Sequence, residues 1–235
     1  MEQPVLGAKM TFNKRFVKRV LMCLLGVLIC SFSVGMFNLA AFGVDPFQCF
    51  AQGSHSVFSQ YMSYGTYYVI ISLIMLVIIF IWDKHYINLG TFINMFLTGY
   101  IIDFSYGFLV SVFPDPSVVL RSGMLILGVL ILCFGSAFYI TADLGVSVYD
   151  AIALILAKKK IKIKTYVLPF KWIRVATDCL CVALGMVFGK MPGAGTLVTA
   201  FFMGPVISFL NHKAAEPFLN WRTPLLEIVQ TEGDA

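Results

Sequence analysis

The chain has 235 residues, 59% of them hydrophobic and 12% charged, about half the charge of an ordinary soluble domain. That composition describes a polytopic membrane protein and leaves too little chain for an independent soluble domain beside a membrane bundle. The net charge of +5 does not point to nucleic acid, because the basic residues sit in short clusters beside apolar runs, where they act on topology.

Residues 1–19 form a basic tail carrying Lys9, Lys14, Arg15, Lys18 and Arg19. An apolar run then extends from Val20 to about Phe42. A secretory signal would have a core of about 7 to 15 apolar residues and a small-residue cleavage site. This run is longer and continues into Gly43-Val-Asp-Pro46, so we read a retained first helix with a cytoplasmic tail. Residues 45–60 mix polar and aromatic side chains without Lys or Arg, and read as a short external helix or a re-entrant segment.

The second span covers about Tyr64–Trp82 and ends at an inner turn, Asp83-Lys-His85. A third runs from near Gly90 to Phe113, where Pro114-Asp-Pro116 breaks it. The fourth, about Val118–Ala142, leads into Asp143. Ala151–Ala157 is wholly apolar but too short to cross, since about 20 residues are needed. Lys158, Lys159, Lys160, Lys162 and Lys164 then mark an inner loop. The fifth span covers roughly Leu168–Phe188, Gly189–Gly195 makes an outer turn, and a short sixth runs from Thr196 to Leu210. Beyond it, Trp221 beside Arg222 is an interfacial pairing.

Two segments echo each other. Gly43-Val-Asp-Pro-Phe-Gln48 aligns with Gly145-Val-Ser-Val-Tyr-Asp150 at an offset of 102, and Gly90-Thr91 through Gly99 aligns with Gly195-Thr196 through Gly204 at 105. Paired matches in the same order indicate an internal duplication. Of 17 Lys plus Arg, only Arg121 and Lys190 fall on the outer side of this assignment, which places both termini in the cytoplasm. Each copy holds an odd number of spans, three, so the copies must be inverted. The expected fold is all-α: six transmembrane helices in two inverted three-helix repeats (20–113 and 114–213), with half-helix or re-entrant segments after helices 1 and 4 and a cytoplasmic tail, 214–235.

Sites in such proteins lie at the repeat interface, beside broken helices. Candidate solute-binding residues are Gly43, Asp45, Gln48, Asp143, Ser147, Tyr149 and Asp150 from the echoed motifs, which would form opposed gates. Asn94 and Asp103 join them from the third span, because an ionisable group inside the bilayer is costly. Asp103 lies about 13 residues into that span, roughly 20 Å along a helix. Asp45 and Asp143 also suit helix capping. Asn94 and Asp103 correspond to Thr199 and Ser208 in the second copy. Lys171, Arg174 and Asp178 share a helix face at spacings of three and four and read as an ion-pair string.

Gly185 and Gly189 make a small-xxx-small pattern suited to helix contact. Five of the six cysteines lie in apolar runs as small hydrophobes. Cys179 and Cys181, two apart, point to different helix faces and make a poor metal pair. No catalytic signature is present, and neither enzymatic activity nor a metal or cofactor is expected.

Ala142-Asp-Leu-Gly-Val-Ser-Val-Tyr-Asp-Ala151 and the paired Gly-Thr segments resemble the YczE/YyaS/YitT group of bacterial integral membrane proteins, over most of residues 15–212. That group's first-repeat motif is close to Ala-Asp-Leu-Gly-Val-Ser-Pro-Trp-Asp-Ala. Here the fuller version sits in the second repeat, with Val148 for Pro and Tyr149 for Trp, and the first is reduced to Ala41-Phe-Gly-Val-Asp-Pro-Phe-Gln-Cys49. The group's Gly-Thr-x-x-Asn-x-x-x-x-Gly-x-x-x-Asp pattern is carried by Gly90, Thr91, Asn94, Gly99 and Asp103. The resemblance implies a bacterial cytoplasmic-membrane protein for which transport is the suspected activity. The expected function is a small-solute transporter or permease without its own ATPase. The alternative is a non-transporting partner, a solute-binding subunit or scaffold of a larger complex. Expected partners are the lipid bilayer, an unidentified small solute, and a second copy or another membrane protein.

Overall fold

The computed structural model describes residues 5–83, 87–158, 162–163, 166–167 and 170–220. Side chains are described from Phe16 onward, apart from those at 154, 157–172, 174, 202, 204, 205, 208, 211 and 220. Lys171, Arg174 and Ser208 therefore have side chains outside this set, and Trp221 and Arg222 lie outside it altogether.

The order of elements is α1 (Val5–Ala40), α2 (Pro46–Ser56), α3 (Tyr64–Asp83), α4 (Leu89–Val112), α5 (Val118–Ala142), α6 (Val148–Lys158), β1 (Lys162–Ile163), β2 (Tyr166–Val167), α7 (Phe170–Val187) and α8 (Ala194–Leu210). A π turn (Asn211–Ala215) then leads into α9 (Glu216–Asn220). Among the described residues the fold is all-helical except for one antiparallel strand pair, Lys162 opposite Val167 and Ile163 opposite Tyr166, within the segment read as an inner loop.

Among the described residues four helices are long and apolar enough to cross a membrane: Phe16–Ala40 of α1, and α3, α4 and α5. The fifth and sixth expected spans are present as helices, but α7 has 18 residues and α8 has 17. At 1.5 Å per residue these extend about 27 and 26 Å, short of the roughly 30 Å hydrocarbon core. The described residues thus give four full-length spans where the sequence led to six. Large apolar side chains are exposed all along the long helices, including Ile74, Ile81, Phe104, Val119 and Ile126. So much contiguous apolar surface is foreign to water-soluble monomers.

Local chemistry sets the helix ends. Asn88 and Thr91 form a reciprocal capping box at the start of α4. Ser117 caps α5 just after the Pro114-Asp-Pro116 break. Asp45 caps α2, whose first residue is Pro46, fixed in φ and free of the N–H a helix start leaves unused. α2 is not an external helix, because Pro46 through Cys49, Ala51, Gly53 and Ser54 are buried. It packs on α7, where Gly185 is required: a Cβ there would lie 2.8 Å from the Cys49 carbonyl oxygen. Gly189 plays no part in that contact. It sits at φ +82° just past the end of α7 with open space around it, ending the helix instead of packing it.

α1 and α5 run antiparallel through the centre, and their contacts pair positions 102 apart. Arg19 Nε donates to the Ala142 carbonyl at 2.6 Å, and Arg121 Nε donates to the Ala40 carbonyl at 2.8 Å. Adding 102 to Arg19 and Ala40 gives Arg121 and Ala142, so the two bonds are copies exchanged between the helices. Each guanidinium supplies donors to a helix C-terminus that has run out of its own. Between them, Gly26 and Gly135 let the backbones touch: a Cβ on either would come within 3 Å of the other's carbonyl oxygen. At the midpoint the Cys30 thiol reaches the carbonyl of Leu132, itself the residue 102 positions on.

The loops after α1 and α5 repeat this exchange. Ala41 and Asp143 adopt left-handed φ of 54° and 49°, and Gly43 and Gly145 adopt 102° and 98°. Gly195 N–H donates to the Phe42 carbonyl at 2.8 Å, and Gly90 N–H donates to the Leu144 carbonyl at 2.6 Å. The Gly-Thr segment of each copy therefore latches onto the Gly-Val loop of the other. A Cβ on Gly43 would meet Thr196 Oγ1 at 2.7 Å, and one on Gly145 would meet Thr91 Oγ1 at 2.8 Å.

Candidate functional site

Where the two short helices begin, at the middle of the bundle, lies a cavity of about 480 Å³. This is within the range of small-molecule sites. Its walls come largely in pairs: Cys30 with Leu132, Val34 with Ser136, Asp45 with Ser147, Phe47 with Tyr149 and Gln48 with Asp150 at an offset of 102, and Asn94 with Thr199 and Thr98 with Met203 at 105. Phe47 and Tyr149 stack on one another, centroids 4.8 Å apart and planes 13° from parallel. Equivalent residues touch each other only where a two-fold relation passes between them, so the cavity surrounds that line.

Helix starts place the polar groups. Asp45 Oδ1 accepts the Gln48 N–H at 3.1 Å. At the equivalent turn Ser147 Oγ accepts the Asp150 N–H at 3.1 Å and donates to Asp150 Oδ2 at 2.8 Å. Both are N-cap arrangements, and both aim side chains from the first turn of a short helix into the cavity. The copies then diverge. The Gln48 carbonyl oxygen accepts a short bond from the Tyr64 hydroxyl of α3. Tyr149 instead donates a short bond to the Asp178 carboxylate of α7, with Thr177 Oγ1 at 3.3 Å.

Asp178 is buried and lines the cavity. The reading that paired it with Arg174 falls on a side chain outside the described set, and its described partner is Tyr149. Among the described residues, three buried atoms on the wall have no hydrogen-bond partner: Asn94 Oδ1, Thr98 Oγ1 and the Tyr139 hydroxyl. Thr98 lies beside the Tyr68 hydroxyl on the same surface. Unsatisfied buried polar atoms are uncommon, and a ligand-facing wall is one of the few places that keeps them.

Six of the nine expected residues, Asp45, Gln48, Asn94, Ser147, Tyr149 and Asp150, line this one cavity. The other three do not. Gly43 is positioned by the loop crossing described above, where any side chain would strike Gly193 and Thr196. Asp103 Oδ2 accepts the Gly65 N–H at 2.8 Å, so it caps the start of α3 from the neighbouring α4. Asp143 ends α5 in a left-handed conformation and pairs with Arg19 at 2.6 Å, its own side chain 88% exposed. Each is held by a backbone requirement away from the cavity. The sequence reading missed Tyr68, Tyr139 and Ser136 as wall residues, and took Asp178 for part of an ion-pair string. Ser136 was accessible in principle, as the position 102 beyond Val34; the tyrosines had no signal beyond being tyrosines in an apolar run.

A family described as "Family of unknown function (DUF6198)" matches residues 17–212, most of the chain. The chain belongs to this family. The uncharacterized membrane protein YczE of Bacillus subtilis is 24% identical over 189 residues, 78% of this chain and 81% of its own length. An uncharacterized protein of Haemophilus influenzae is 22% identical over 205 residues, 86% of this chain and 88% of its own. No solved structure matches. The resemblance to the YczE group read from the echoed motifs therefore stands, and with it the assignment to the membrane. In this DUF6198 chain the family match spans both echoed loops, both Gly-Thr segments and every wall residue of the cavity.

Proposed function

We propose that this protein is a small-solute transporter or permease of the bacterial cytoplasmic membrane, and not an enzyme. Its helices form six crossings in two inverted three-helix repeats, with both termini in the cytoplasm. The exchanged contacts support the inverted arrangement: Arg19 with Ala142 mirrors Arg121 with Ala40, on antiparallel α1 and α5. Such symmetry places a solute site at the repeat interface beside discontinuous helices.

The observation that carries the proposal is the cavity at that interface, between the starts of α2 and α6, walled by paired residues and holding unpartnered Asn94 and Tyr139 atoms. Asp45, Gln48, Asn94, Ser147, Tyr149 and Asp150 bind the solute, and Asp178 joins them. Gly43 and Asp143 shape the two loops that close over it. A bonded wall of this kind supports alternating access, because rocking one repeat against the other exposes the same residues to either side.

The test is reconstitution of the purified chain in liposomes, with a screen of small metabolites for thermal shift followed by flux of any binder. A ligand stabilises the native state by RT ln(1 + [L]/Kd), so affinity is read directly. Flux of a binder by the purified chain supports the proposal. Binding without flux, with a second membrane protein co-purifying, replaces it with the non-transporting partner.

A further inference from the structure

Resting on that reading of the cavity as a solute site, we infer that the solute is an uncharged amphipathic amide, a carboxamide head on an apolar body, and that the head lies where α4 meets the end of α5. The sign comes from polar atoms that nothing in the described protein satisfies. Asp45, Asp150 and Asp178 are each held by the protein, through the Gln48 N–H, the Ser147 hydroxyl and the Tyr149 hydroxyl among other contacts. Asn94 Oδ1, Thr98 Oγ1 and the Tyr139 hydroxyl are the buried wall atoms without a hydrogen-bond partner among the described residues. All three are neutral. The Asn94 oxygen only accepts, while a hydroxyl both donates and accepts, so together they call for a solute group carrying donors and an acceptor. A carboxylate brings no donor for Asn94, and an ammonium brings no acceptor for the hydroxyl protons. A carboxamide, with two protons and a two-lone-pair oxygen, serves all three, and it pairs with Asn94 whichever way round that side chain stands.

The three atoms share one end of the cavity. Gly90 at the start of α4 bonds Leu144 just past the end of α5, so these two helix ends lie together. Asn94 is the sixth residue of α4, Thr98 is one turn further on, and Tyr139 lies three residues before the end of α5. The two-fold relation carries Asn94 to Thr199, Thr98 to Met203 and Tyr139 to Phe37, at the opposite end. None of those counterparts calls for a ligand. The Thr199 hydroxyl donates to the Gly195 carbonyl of its own helix at 2.9 Å, Met203 is apolar, and Phe37 is fully buried in a cluster with Val44, Cys49 and Leu132. Ala200, Met203 and Ile207 make that wall hydrocarbon. An unsatisfied buried polar atom costs free energy that a partner returns, and an apolar wall gains by being covered with hydrocarbon. A solute with a polar head and an apolar body meets both requirements in one orientation.

The experiment uses full-length protein in liposomes and two matched sets of probes. The first is 3-phenylpropanamide with 4-phenylbutan-2-one, 3-phenylpropanoate and 3-phenylpropylammonium; the second is hexanamide with heptan-2-one, hexanoate and hexylammonium. Within a set the apolar body is kept, and the ketone differs from the amide by a methyl group in place of the two donors. At least one amide is expected to raise the melting temperature with a Kd about ten-fold or more below that of its ketone and of both ions. Asn94→Leu should weaken that amide about ten-fold and bring it level with its ketone, and Thr98→Val should weaken it about two- to ten-fold. Neither substitution removes a hydrogen bond from those two buried oxygens, so both variants remain folded. Met203→Ala trims the apolar end and should weaken amide and ketone in equal proportion.

A ketone or an ion that binds in preference to its amide overturns the inference and leaves the solute site standing. An amide bound equally well by wild type, Asn94→Leu and Thr98→Val overturns it too, because the head is then elsewhere. Silence from both amides also overturns it, and a binder from the wider metabolite screen then shows that the site survives. If that screen is silent as well and no solute is carried, the transport proposal falls with it.

Discussion

Tyr139→Phe removes one oxygen and separates the two roles a buried hydroxyl can have. In a packed core an unpartnered hydroxyl costs about 1–3 kcal/mol of desolvation that nothing returns. Tyr139 is 6% exposed and its hydroxyl has no partner, yet the residue lines a cavity of about 480 Å³, large enough for water to soften that cost. The low end of the range applies, about 1 kcal/mol. In a chain of this size that raises the melting temperature by roughly 2–4 °C in the absence of solute. No packing is lost, because the space vacated opens into the existing cavity. The solute loses a hydrogen bond with a net value of about 0.5–1.5 kcal/mol, a two- to ten-fold rise in Kd. The assay is thermal unfolding of wild type and variant across a solute titration. A variant more stable alone but less stabilised by solute is the expected pair. A lower melting temperature without solute would show the hydroxyl holding the fold together, and an unchanged Kd would remove it from the site.

Asp103→Asn should leave solute binding unchanged and cost about 0.3–1 kcal/mol, because it removes charge but not an acceptor at the start of α3; lost binding measured by thermal shift would return Asp103 to the site. Gly193→Ala should prevent recovery of monodisperse protein, since its Cβ would sit 2.1 Å from the Phe42 carbonyl oxygen, while Gly107→Ala in open space on α4 should gain about 0.5–1 kcal/mol. Size-exclusion profiles and melting curves of the pair check both. Arg19→Met should destabilise by about 1.5–3 kcal/mol through the orphaned end of α5, and Asp143→Asn by under about 1 kcal/mol, because its carboxylate is exposed and asparagine tolerates the left-handed backbone there. Equal losses in the two melting curves would mean that the ion pair, not the cap, is what matters.

The bounds of the long helices were legible because crossing a bilayer demands length and apolarity together: α3, α4 and α5 begin and end within a residue or so of the expected positions. The short helices were legible from Asp45-Pro46 and Ser147. Their burial was not, since polar and aromatic composition suits a membrane surface and a solute cavity equally. Asp103 was misplaced for a reason the sequence already contained. It lies nine residues after Asn94, and nine residues at 100° each is two and a half turns, so the two face opposite sides of α4. Thr98, four residues after Asn94, shares its face and its cavity. Depth along a helix does not decide which face a residue takes; rotation about the axis does.

The duplication extended further than the echoed motifs disclosed. Arg19 and Arg121 stand 102 apart like Gly43 and Gly145, but a basic residue at a membrane edge invites a topological reading, which hid their shared capping of Ala142 and Ala40. The contacts that locate the cavity, Phe47 on Tyr149 and Cys30 against Leu132, depend on where the copies cross, and no single copy contains that information.

The crossing also shows where the copies have parted. Symmetry would give each short helix the same first turn. Instead Asp45, Phe47 and Gln48 face Ser147, Tyr149 and Asp150, so a carboxylate has changed position within the turn and one ring has gained a hydroxyl. That hydroxyl bonds Asp178, while on the other side the Gln48 amide is held by Tyr64. A scaffold needing only packing could keep both turns alike. The cavity thus keeps a symmetric backbone, with left-handed loops at matching φ, while its polar groups differ between the copies, so a symmetric frame carries an asymmetric wall.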